Sequence, residues 1–399
     1  MVMDSSDDDI FYSSELHGFT LKILFVGDGL LDTDNYPTSN KGASVQTWGN
    51  SRELAKRGHE VFIVRRSDTK GEEIVENVNL VGIEFKGQVT DMIPFLSHLT
   101  RMSSSLYFSM RSLELIERIR PNIMCLINRV SGIFPSELKI PKVYIMHSPE
   151  ALDFFKAYSI SANRLNSVLF YVKKAIEKRV MQKSDRVVVL NRYIERYLRM
   201  KGLRNVVRIP NGINAEEFSN KGEEDFILYA GRFDWNKNVV SLINAFAKIR
   251  TYYNLCLVGS GPEEEKIRSM MQQKKLRDRV IMVPAVPRRK LLEIMSRCSV
   301  FVLPSLFEVY PNVVLEAMAS AKPVIARANM GTVDIILHGK SGYLYNNEEE
   351  LRKYLELLLS DNSLRKKIGR SARKIVEKKY SFVRVADRYE ELFRRMYAR

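Results

Sequence analysis

Apolar runs that end in glycine or a polar residue alternate with helix-patterned segments along most of this chain. The run LKILFVGD at residues 21–28 is followed by VQTWGNSRELAKRG, which has helical spacing and stops at a glycine, and then by HEVFIVRR at 59–66. Continuous apolar runs are typical of strands that are buried on both faces. A strand–helix–strand order implies a parallel sheet with right-handed crossovers, so the alternation restricts the chain to an α/β fold.

The same alternation returns in the C-terminal half. The strand-like runs there are FILYAG at 226–231, LCLVGSG at 255–261, VFVLPS at 300–305 and PVIAR at 323–327. Because 399 residues are too many for one ordinary core, we predict two Rossmann-like doubly wound domains that face a cleft. We place them at 21–208 and 209–380, with the polar segment 211–224 as the linker. Ligands bind at the carboxyl ends of the strands in such sheets, so the cleft is the expected active site.

Several absences narrow the class of protein. Residues 1–20 are polar and acidic and lack the features of a secretory signal, so we predict a disordered leader. No uncharged apolar run approaches the roughly 20 residues that a membrane span needs. Cys125, Cys256 and Cys298 lie in apolar segments without ligand spacing, which predicts buried free thiols in a cytoplasmic protein. The histidines form no ligand constellation, and we predict no metal site.

The net charge of +16 is concentrated in the stretch 164–208, where thirteen Lys or Arg stand against three Asp or Glu. The same stretch contains apolar residues at helical spacing: Leu165, Val168, Leu169, Val172, Ile176 and Val180. A charge run is usually a solvated face, but an amphipathic basic helix can also lie on an anionic lipid surface. The chain carries no nucleic-acid-binding motif. We therefore rank solvation, or a peripheral position at the inner face of the cell membrane, above a nucleic-acid partner.

Two strand ends in the second half carry groups that suit a nucleotide diphosphate. Gly231 and Arg232 close one strand, and Lys237 follows five residues later. Arg holds phosphate oxygens bidentately and Lys adds a compact charge, although the two residues alone also fit a surface ion pair. Gly261 ends another strand, where it either lets a ligand approach the backbone closely or serves a plain turn. Neither half contains a dinucleotide-binding fingerprint.

Two carboxylates, Glu308 and Glu316, are separated by seven residues in the unit VFVLPSLFEVYPNVVLEAMASA. Pro311 suits the start of a helix, whose positive end can hold phosphate oxygens. The first N–H groups of that helix belong to Asn312, Val313 and Val314. One carboxylate near a sugar and the other near a ribose is a plausible division of roles. On spacing alone, a solvated loop acid and a helix-dipole partner are favoured instead.

One histidine, His147, follows the apolar run KVYIM at the expected carboxyl edge of the first sheet. A lone histidine is usually structural, but a position at a strand end that faces a cleft favours a functional role. We find no Cys or Ser with a matching base that would indicate a covalent nucleophile.

Five segments together resemble the successive signatures of the retaining family-4 glycosyltransferases with the GT-B fold: KGASVQTWGNSRELAKRGHEV, IPNGIN, GRFDWNK, LVGSGPEEEKI and VFVLPSLFEVYPNVVLEAMASAKPVIA. The resemblance covers roughly residues 21–395 in the right order. It implies that the second domain holds most of the donor. It also implies that a last helix, at about 381–399, crosses back onto the first domain.

The resemblance implies a role for each predicted catalytic residue. Arg232 and Lys237 would bind the diphosphate and stabilise the leaving group. Glu308 would hold hydroxyls of the donor sugar and Glu316 the ribose. His147 would sit beside the transferred sugar.

Other positions of the family pattern concern the donor loop and the N-terminal glycines. Gly42 would let the N-terminal loop approach the phosphate, although it stands alone where two glycines are common. Tyr310 is expected to line the donor site. The loop reads Glu308-Val309-Tyr310-Pro311, whereas the family often has Glu-Gly-Phe-Gly. These departures leave the donor sugar open.

The resemblance thus implies transfer of a hexosyl unit, with retention, from a UDP- or GDP-linked sugar and without a metal or other cofactor. The expected acceptor is a glycan or a polyprenyl- or other lipid-linked molecule that meets the basic first domain. Two alternatives remain open at this point. One is a sugar-nucleotide epimerase of similar shape, for which we find no paired acid and base. The other is a non-catalytic basic adaptor for membranes or nucleic acid.

Overall fold

The computed structural model describes residues 19–28, 42–67, 71–84, 94–147, 149 and 164–398, without the side chains of 94–100 and 164–167. Nearly all of the predicted leader lies outside the described residues. Within them the chain forms two sheets, of eight and six strands, each flanked by helices. The predicted class, two doubly wound α/β units, is confirmed.

The first sheet is built from β1 (Lys22–Val26), β2 (Glu60–Ser67), β3 (Gly71–Val75), β4 (Val78–Glu84), β5 (Ile123–Leu126), β6 (Lys142–Met146), β7 (Arg186–Val189) and β8 (Val206–Arg208). Their spatial order is β3-β4-β2-β1-β5-β6-β7-β8. All neighbours are parallel except β3 and β4. The central apolar runs are buried on both faces, as the sequence predicts.

The antiparallel hairpin of β3 and β4 is not predicted from the sequence. Glu72 and Glu73 break the apolar pattern of β3, whose residues are largely exposed. The connection is the pair Glu76–Asn77, with φ of 48° and 64°. Two left-handed residues match the twist of a tight hairpin, so the turn rather than an apolar run defines this element.

Helices α1 (Gly42–Lys56), α2 (Pro94–Ile119), α3 (Arg164–Lys183) and α4 (Arg192–Met200) surround the first sheet. Trp48 and Leu54 of α1 pack on one face with Ile23 and Phe25 of β1. Apolar residues of α2, α3 and α4 pack on the opposite face. The sheet therefore lies between two helical layers.

The second sheet contains β9 (Phe226–Ala230), β10 (Asn254–Val258), β11 (Val280–Val283), β12 (Val300–Leu303), β13 (Val324–Arg327) and β14 (Gly342–Tyr345). Its helices are α5 (Val239–Ala247), α6 (Glu264–Gln273), α7 (Arg288–Arg297), α8 (Asn312–Ala319), α9 (Thr332–Ile335), α10 (Glu348–Ser360) and α11 (Asn362–Lys379). The spatial order is β11-β10-β9-β12-β13-β14, and all strands are parallel. The order reverses between β9 and β12, and such a switch point opens a crevice at the carboxyl ends of the strands.

The last helix, α12 (Phe382–Tyr397), returns to the first sheet. Val385, Tyr389 and Phe393 join the apolar cluster that contains α1. The guanidinium of Arg57 lies 2.9 Å from carboxylate oxygens of both Asp387 and Glu390. Apolar burial and a charged clamp together hold α12 on the first sheet.

The basic helix α3 differs in part from the predicted amphipathic pattern. Leu169 and Val180 are buried, but Val168 and Val172 are 57% and 38% exposed. The fully buried carboxylate of Glu177 accepts a hydrogen bond from the hydroxyl of Tyr144, 2.7 Å away. The inner face of the helix therefore includes a buried polar contact, and part of the predicted apolar stripe is exposed.

The prediction for the three cysteines can be compared with the structure. Cys125, Cys256 and Cys298 are buried free thiols, as predicted. Burial raises the pKa of Cys256 to about 11 and that of Cys298 to about 12, so both remain protonated near neutral pH.

None of the helices in the described part of the chain combines the length and hydropathy that crossing a membrane requires.

Candidate functional site

The candidate site lies at the switch point of the second sheet. The loops that follow β9 and β12 leave adjacent strands at their carboxyl ends. Three hydrogen bonds connect them: Leu306 N–H donates to Asn236 O at 2.8 Å, Asn236 Nδ2 to Phe307 O at 3.1 Å, and Asn238 Nδ2 to Pro304 O at 3.4 Å. The two loops are therefore held as one unit.

The structure brings Lys237 and Glu308 into direct contact at this unit. Lys237 ends a short 3-10 helix, Trp235–Lys237, which Asp234 caps by accepting the Lys237 N–H at 3.1 Å. The ammonium Nζ of Lys237 lies 2.6 Å from the carboxylate of Glu308, and both side chains are partly buried. The cap fixes the backbone from which the lysine extends, so the charged pair is preorganised.

Arg232 occupies the rim of this unit. Its side chain is 75% exposed and its Nε lies 3.4 Å from Asp234. The hydroxyl of Tyr229 donates to the Arg232 carbonyl at 2.7 Å and fixes the backbone there. Burial raises the pKa of Tyr229 well above its usual value, and the charges of Asp234 and Glu308 add to this effect. Tyr229 therefore stays a hydrogen-bond donor.

The start of α8 differs from the predicted geometry. Pro311 is the residue before the helix rather than its first residue. The N–H of Val314 donates to the Pro311 carbonyl at 3.1 Å, so it is not available to a phosphate. The N–H groups of Asn312 and Val313, the first two residues of the helix, are left as the predicted anion donors.

Asn312 lies where the N-terminal domain, the linker and α8 meet. Its Oδ1 accepts a hydrogen bond from Asn211 Nδ2 at 2.8 Å. A Cβ built on Gly42 would lie 2.8 Å from its Nδ2. The absence of a side chain at Gly42 therefore lets the first domain approach α8 at Asn312, and its predicted approach to a phosphate stays a prediction.

Glu316 is buried and forms a short ion pair with Arg288, the first residue of α7. Arg288 is not predicted from the sequence, since 28 residues separate it from Glu316 along the chain and no motif connects the two. A cavity of about 670 Å³ opens beside this pair, and its lining includes Gln46, Arg52, Arg288, Asn312 and Glu316. The predicted ribose carboxylate thus faces a space bounded by both domains.

Two predicted donor-binding residues have other contacts. The ring of Tyr310 is buried and packs edge-on against Tyr380, with 6.5 Å between ring centroids. A Cβ on Gly261 would lie 2.4 Å from the carbonyl oxygen of Phe233. Gly261 is therefore required by the packing of neighbouring loops, whether or not a ligand also approaches it.

His147 follows β6 at the carboxyl edge of the first sheet and is largely, though not fully, buried. Burial lowers its pKa to about 4, so the imidazole is neutral near pH 7. It makes no hydrogen bond or ion pair to the pair formed by Lys237 and Glu308. Among the described residues, no three His, Cys, Asp or Glu are grouped as metal ligands would be.

Two family models match consecutive parts of the chain. The model for glycosyltransferase family 4 matches residues 40–217, and the model for glycosyl transferases group 1 matches residues 212–375. The boundary between them lies in the predicted linker. The second match contains every predicted donor-site residue except Gly42 and His147, which lie in the first.

Similar proteins agree with these matches. An uncharacterised glycosyltransferase of Methanocaldococcus jannaschii is 29% identical over 66% of this chain and 72% of its own length. N-acetylgalactosamine-N,N'-diacetylbacillosaminyl-diphospho-undecaprenol 4-alpha-N-acetylgalactosaminyltransferase of Campylobacter jejuni is 28% identical over 39% of this chain and 45% of its own length.

Solved structures share the fold. Sucrose-phosphate synthase from Thermosynechococcus elongatus superimposes with a TM-score of 0.75 at 21% identity, covering 94% of this chain and 99% of the other. HepE from Anabaena, in complex with UDP and glucose, has a TM-score of 0.64 at 16% identity, covering 93% and 99%. At such identities these likenesses concern the fold alone.

Proposed function

This chain belongs to the family-4 and group 1 glycosyltransferases with the GT-B fold, and we propose that it transfers a hexosyl unit from a nucleoside-diphosphate sugar with retention at the anomeric carbon. The observation that carries the proposal is the 2.6 Å contact between Lys237 and Glu308 at the switch point of the second sheet. It sets a carboxylate that can accept hydrogen bonds from sugar hydroxyls beside a cation that can offset a diphosphate.

The proposed chemistry depends on negative charge that develops on the leaving diphosphate. Lys237 and the first N–H groups of α8 would face that charge, and Arg232, which contacts Asp234 at the exposed rim, would turn toward it. These groups supply positive charge from the protein itself, which supports a reaction without a metal. Because Asp234 already fixes the backbone at Lys237, little reorganisation is needed at the moment of reaction.

The acidic and histidine residues have distinct proposed tasks. Glu308 would accept hydrogen bonds from the donor sugar. Glu316 would accept hydrogen bonds from the ribose, and for this it would have to release part of its ion pair with Arg288. His147 is neutral, so it would act beside the sugar as a hydrogen-bonding group and not as a cation.

The direct test removes each member of the pair by itself. We expect Lys237→Ala and Glu308→Gln each to reduce transfer by about 10²–10³-fold, because each removes a charge aimed at the reacting donor. Lys266→Ala is the matched control, since Lys266 forms an exposed pair with Glu263 at 2.8 Å outside this unit. Release of nucleoside diphosphate is measured with donor and acceptor, together with thermal unfolding. Turnover like that of the wild type in both variants would refute the site.

The donor and stereochemistry are tested on the wild-type protein. UDP is the first nucleotide to screen, because HepE of the same fold was solved with UDP and glucose, and GDP is the second. A nucleotide that binds the native state raises the melting temperature. Retention is read from the anomeric proton coupling of the first product by NMR. Conversion of the donor without any acceptor would instead indicate an epimerase, and absence of both reactions an adaptor.

The proposed acceptor is a lipid-linked glycan. The Campylobacter relative is named for action on a diphospho-undecaprenol-linked saccharide, although only 39% of this chain aligns with it. The basic stretch 164–208 supports the same proposal, since it would bring the first domain to the anionic surface where such acceptors reside. A glycan without a lipid remains the alternative acceptor, and acceptors with and without the lipid separate the two.

A further inference from the structure

Asn191 connects the two domains at the loop that carries Glu308. It lies between β7 and α4 and is fully buried. Its Oδ1 accepts the Ile194 N–H at 2.8 Å and so caps α4. Its Nδ2 donates to the carbonyl of Val309 at 2.7 Å. One side chain thus begins a helix of the first domain and holds the backbone next to Glu308 in the second.

The side chain of Val309 adds a second contact between the domains. It packs against the apolar cluster formed by β-strands of the first sheet and helices α2, α3 and α4, and Met330 packs there too. Val309 is one of the positions where the loop departs from the Glu-Gly-Phe-Gly pattern. A glycine there would lack the side chain that makes this contact, so the contact depends on the valine.

The segment that leads into α9 packs closely against the same part of the loop. A Cβ on Gly331 would lie 2.6 Å from the carbonyl oxygen of Glu308 and 2.7 Å from that of Val309. The backbone N–H of Arg192, the residue after Asn191, donates to Asp334 of α9 at 2.5 Å. Asn191 and the segment that leads into α9, which is itself hydrogen-bonded to Arg192, therefore both contact the loop at Val309.

We infer that Asn191 is a positioning residue for the donor: by holding the Val309 carbonyl it sets the loop that presents Glu308 to the sugar. Because the peptide group is planar, fixing its oxygen also fixes the backbone direction at Val309. The carboxylate is then correctly placed only when the two domains meet at Asn191. This inference rests on the proposed function, since it assumes that Glu308 holds the donor sugar.

Two substitutions separate this contact from the helix cap. Asn191→Ser keeps a cap acceptor but is too short to reach Val309, and Asn191→Asp keeps the shape and the cap but lacks the N–H donor. Loss of one hydrogen bond predicts an increase of about three- to tenfold in the donor KM for Asn191→Ser, and the increase should be larger for Asn191→Asp, because its carboxylate would also be buried against the Val309 carbonyl oxygen. The acceptor KM should change less than about twofold. Asn347→Ser is the matched control, because Asn347 caps α10 through Glu350 N–H at 2.9 Å and is exposed.

A readout without catalysis distinguishes this inference from the proposed function. Hydrogen exchange of the backbone amides in residues 306–312 should be faster in both Asn191 variants than in the wild type and in Asn347→Ser. Wild-type exchange together with a wild-type donor KM would overturn the positioning role. If the wild type transfers no sugar from any donor, the proposed function fails, and the exchange result alone decides whether Asn191 holds the loop.

Discussion

His147 and His59 are both kept neutral by burial. They lie at opposite ends of the parallel strands of the first sheet. His147 follows β6, and burial lowers its pKa to about 4. His59 precedes β2, accepts the Leu21 N–H at 3.1 Å through Nδ1, and has a pKa lowered mainly by burial. Their native pKa values lie below that of an unfolded histidine, about 6.5. The unfolded chain therefore binds more protons below that pH, and the free energy of unfolding falls as the pH falls.

For His147 this window extends from about pH 6.5 down to about pH 4. The limiting slope for one proton is about 1.4 kcal/mol per pH unit. We expect His147→Gln to remove roughly 1 kcal/mol per pH unit of that dependence between pH 6 and 5. Urea unfolding at pH 7, 6 and 5 measures it, with the exposed His338→Gln as the control. Equal slopes in all three proteins would show that His147 is not the group responsible.

At the scale of elements, the ring of Phe382, the first residue of α12, packs against two glycines. A Cβ on Gly49 of α1 would lie 2.1 Å from Cζ of Phe382, and one on Gly212 of the linker would lie 2.5 Å from its Cδ1. Gln46 of α1 also exchanges two hydrogen bonds with the Gly212 backbone, at 2.7 and 2.8 Å. The absence of side chains at these glycines lets α1, the linker and α12 meet around one aromatic ring.

We expect Gly49→Ala to destabilise the protein by about 1–3 kcal/mol, because the new methyl group overlaps the Phe382 ring. The gain in helix propensity, about 1 kcal/mol, offsets only part of this. Gly71→Ala, at a site with no atom within 4 Å of the added Cβ, is the control and should change stability little. Unfolding in urea measures both. If Gly49→Ala matches the control, or if adding Phe382→Leu restores nothing, the packing explanation is wrong.

At the scale of the whole molecule, the exposed part of α3 combines apolar and basic side chains. Val168, Tyr171 and Val172 are exposed along the N-terminal part of the helix, and Lys178 follows on the same side. Arg179 and Lys183 are paired with Glu137, at 2.7 and 3.2 Å, so the charge of the stretch is partly balanced on the protein. We therefore expect a membrane contact to involve the exposed apolar side chains as well as the charge.

We expect the protein to sediment with anionic vesicles at low salt and much less at high salt, because exposed charges are screened. The double substitution Tyr171→Ser with Val172→Ser should reduce the bound fraction severalfold, since it removes the apolar side chains available for insertion. Tyr252→Ser, at a residue 73% exposed in the second domain, is the control. Absence of binding at every salt concentration would show that the basic face is only solvated.

Sequence reasoning recovered features whose signal is local. The strands were predictable because parallel strands buried on both faces must be continuous apolar runs. Lys237, Glu308, Glu316 and Gly42 could be selected because each follows a strand end or begins a helix in a recurring pattern. Arg288 and Asn191 carry no such pattern, although Asn191 does end an apolar run and could have been flagged for that position.

The sequence by itself determined that this chain forms two α/β domains, because periodicity is a property of neighbouring residues, and the glycosyltransferase prediction came from the resemblance of its motifs to that family. Only the tertiary structure decided which of the predicted groups meet. It paired Lys237 with Glu308 and Glu316 with Arg288, turned Tyr310 toward Tyr380, and brought Asn191 to Val309. These contacts join residues 28 to 118 positions apart, and such distances depend on how whole sheets and helices pack.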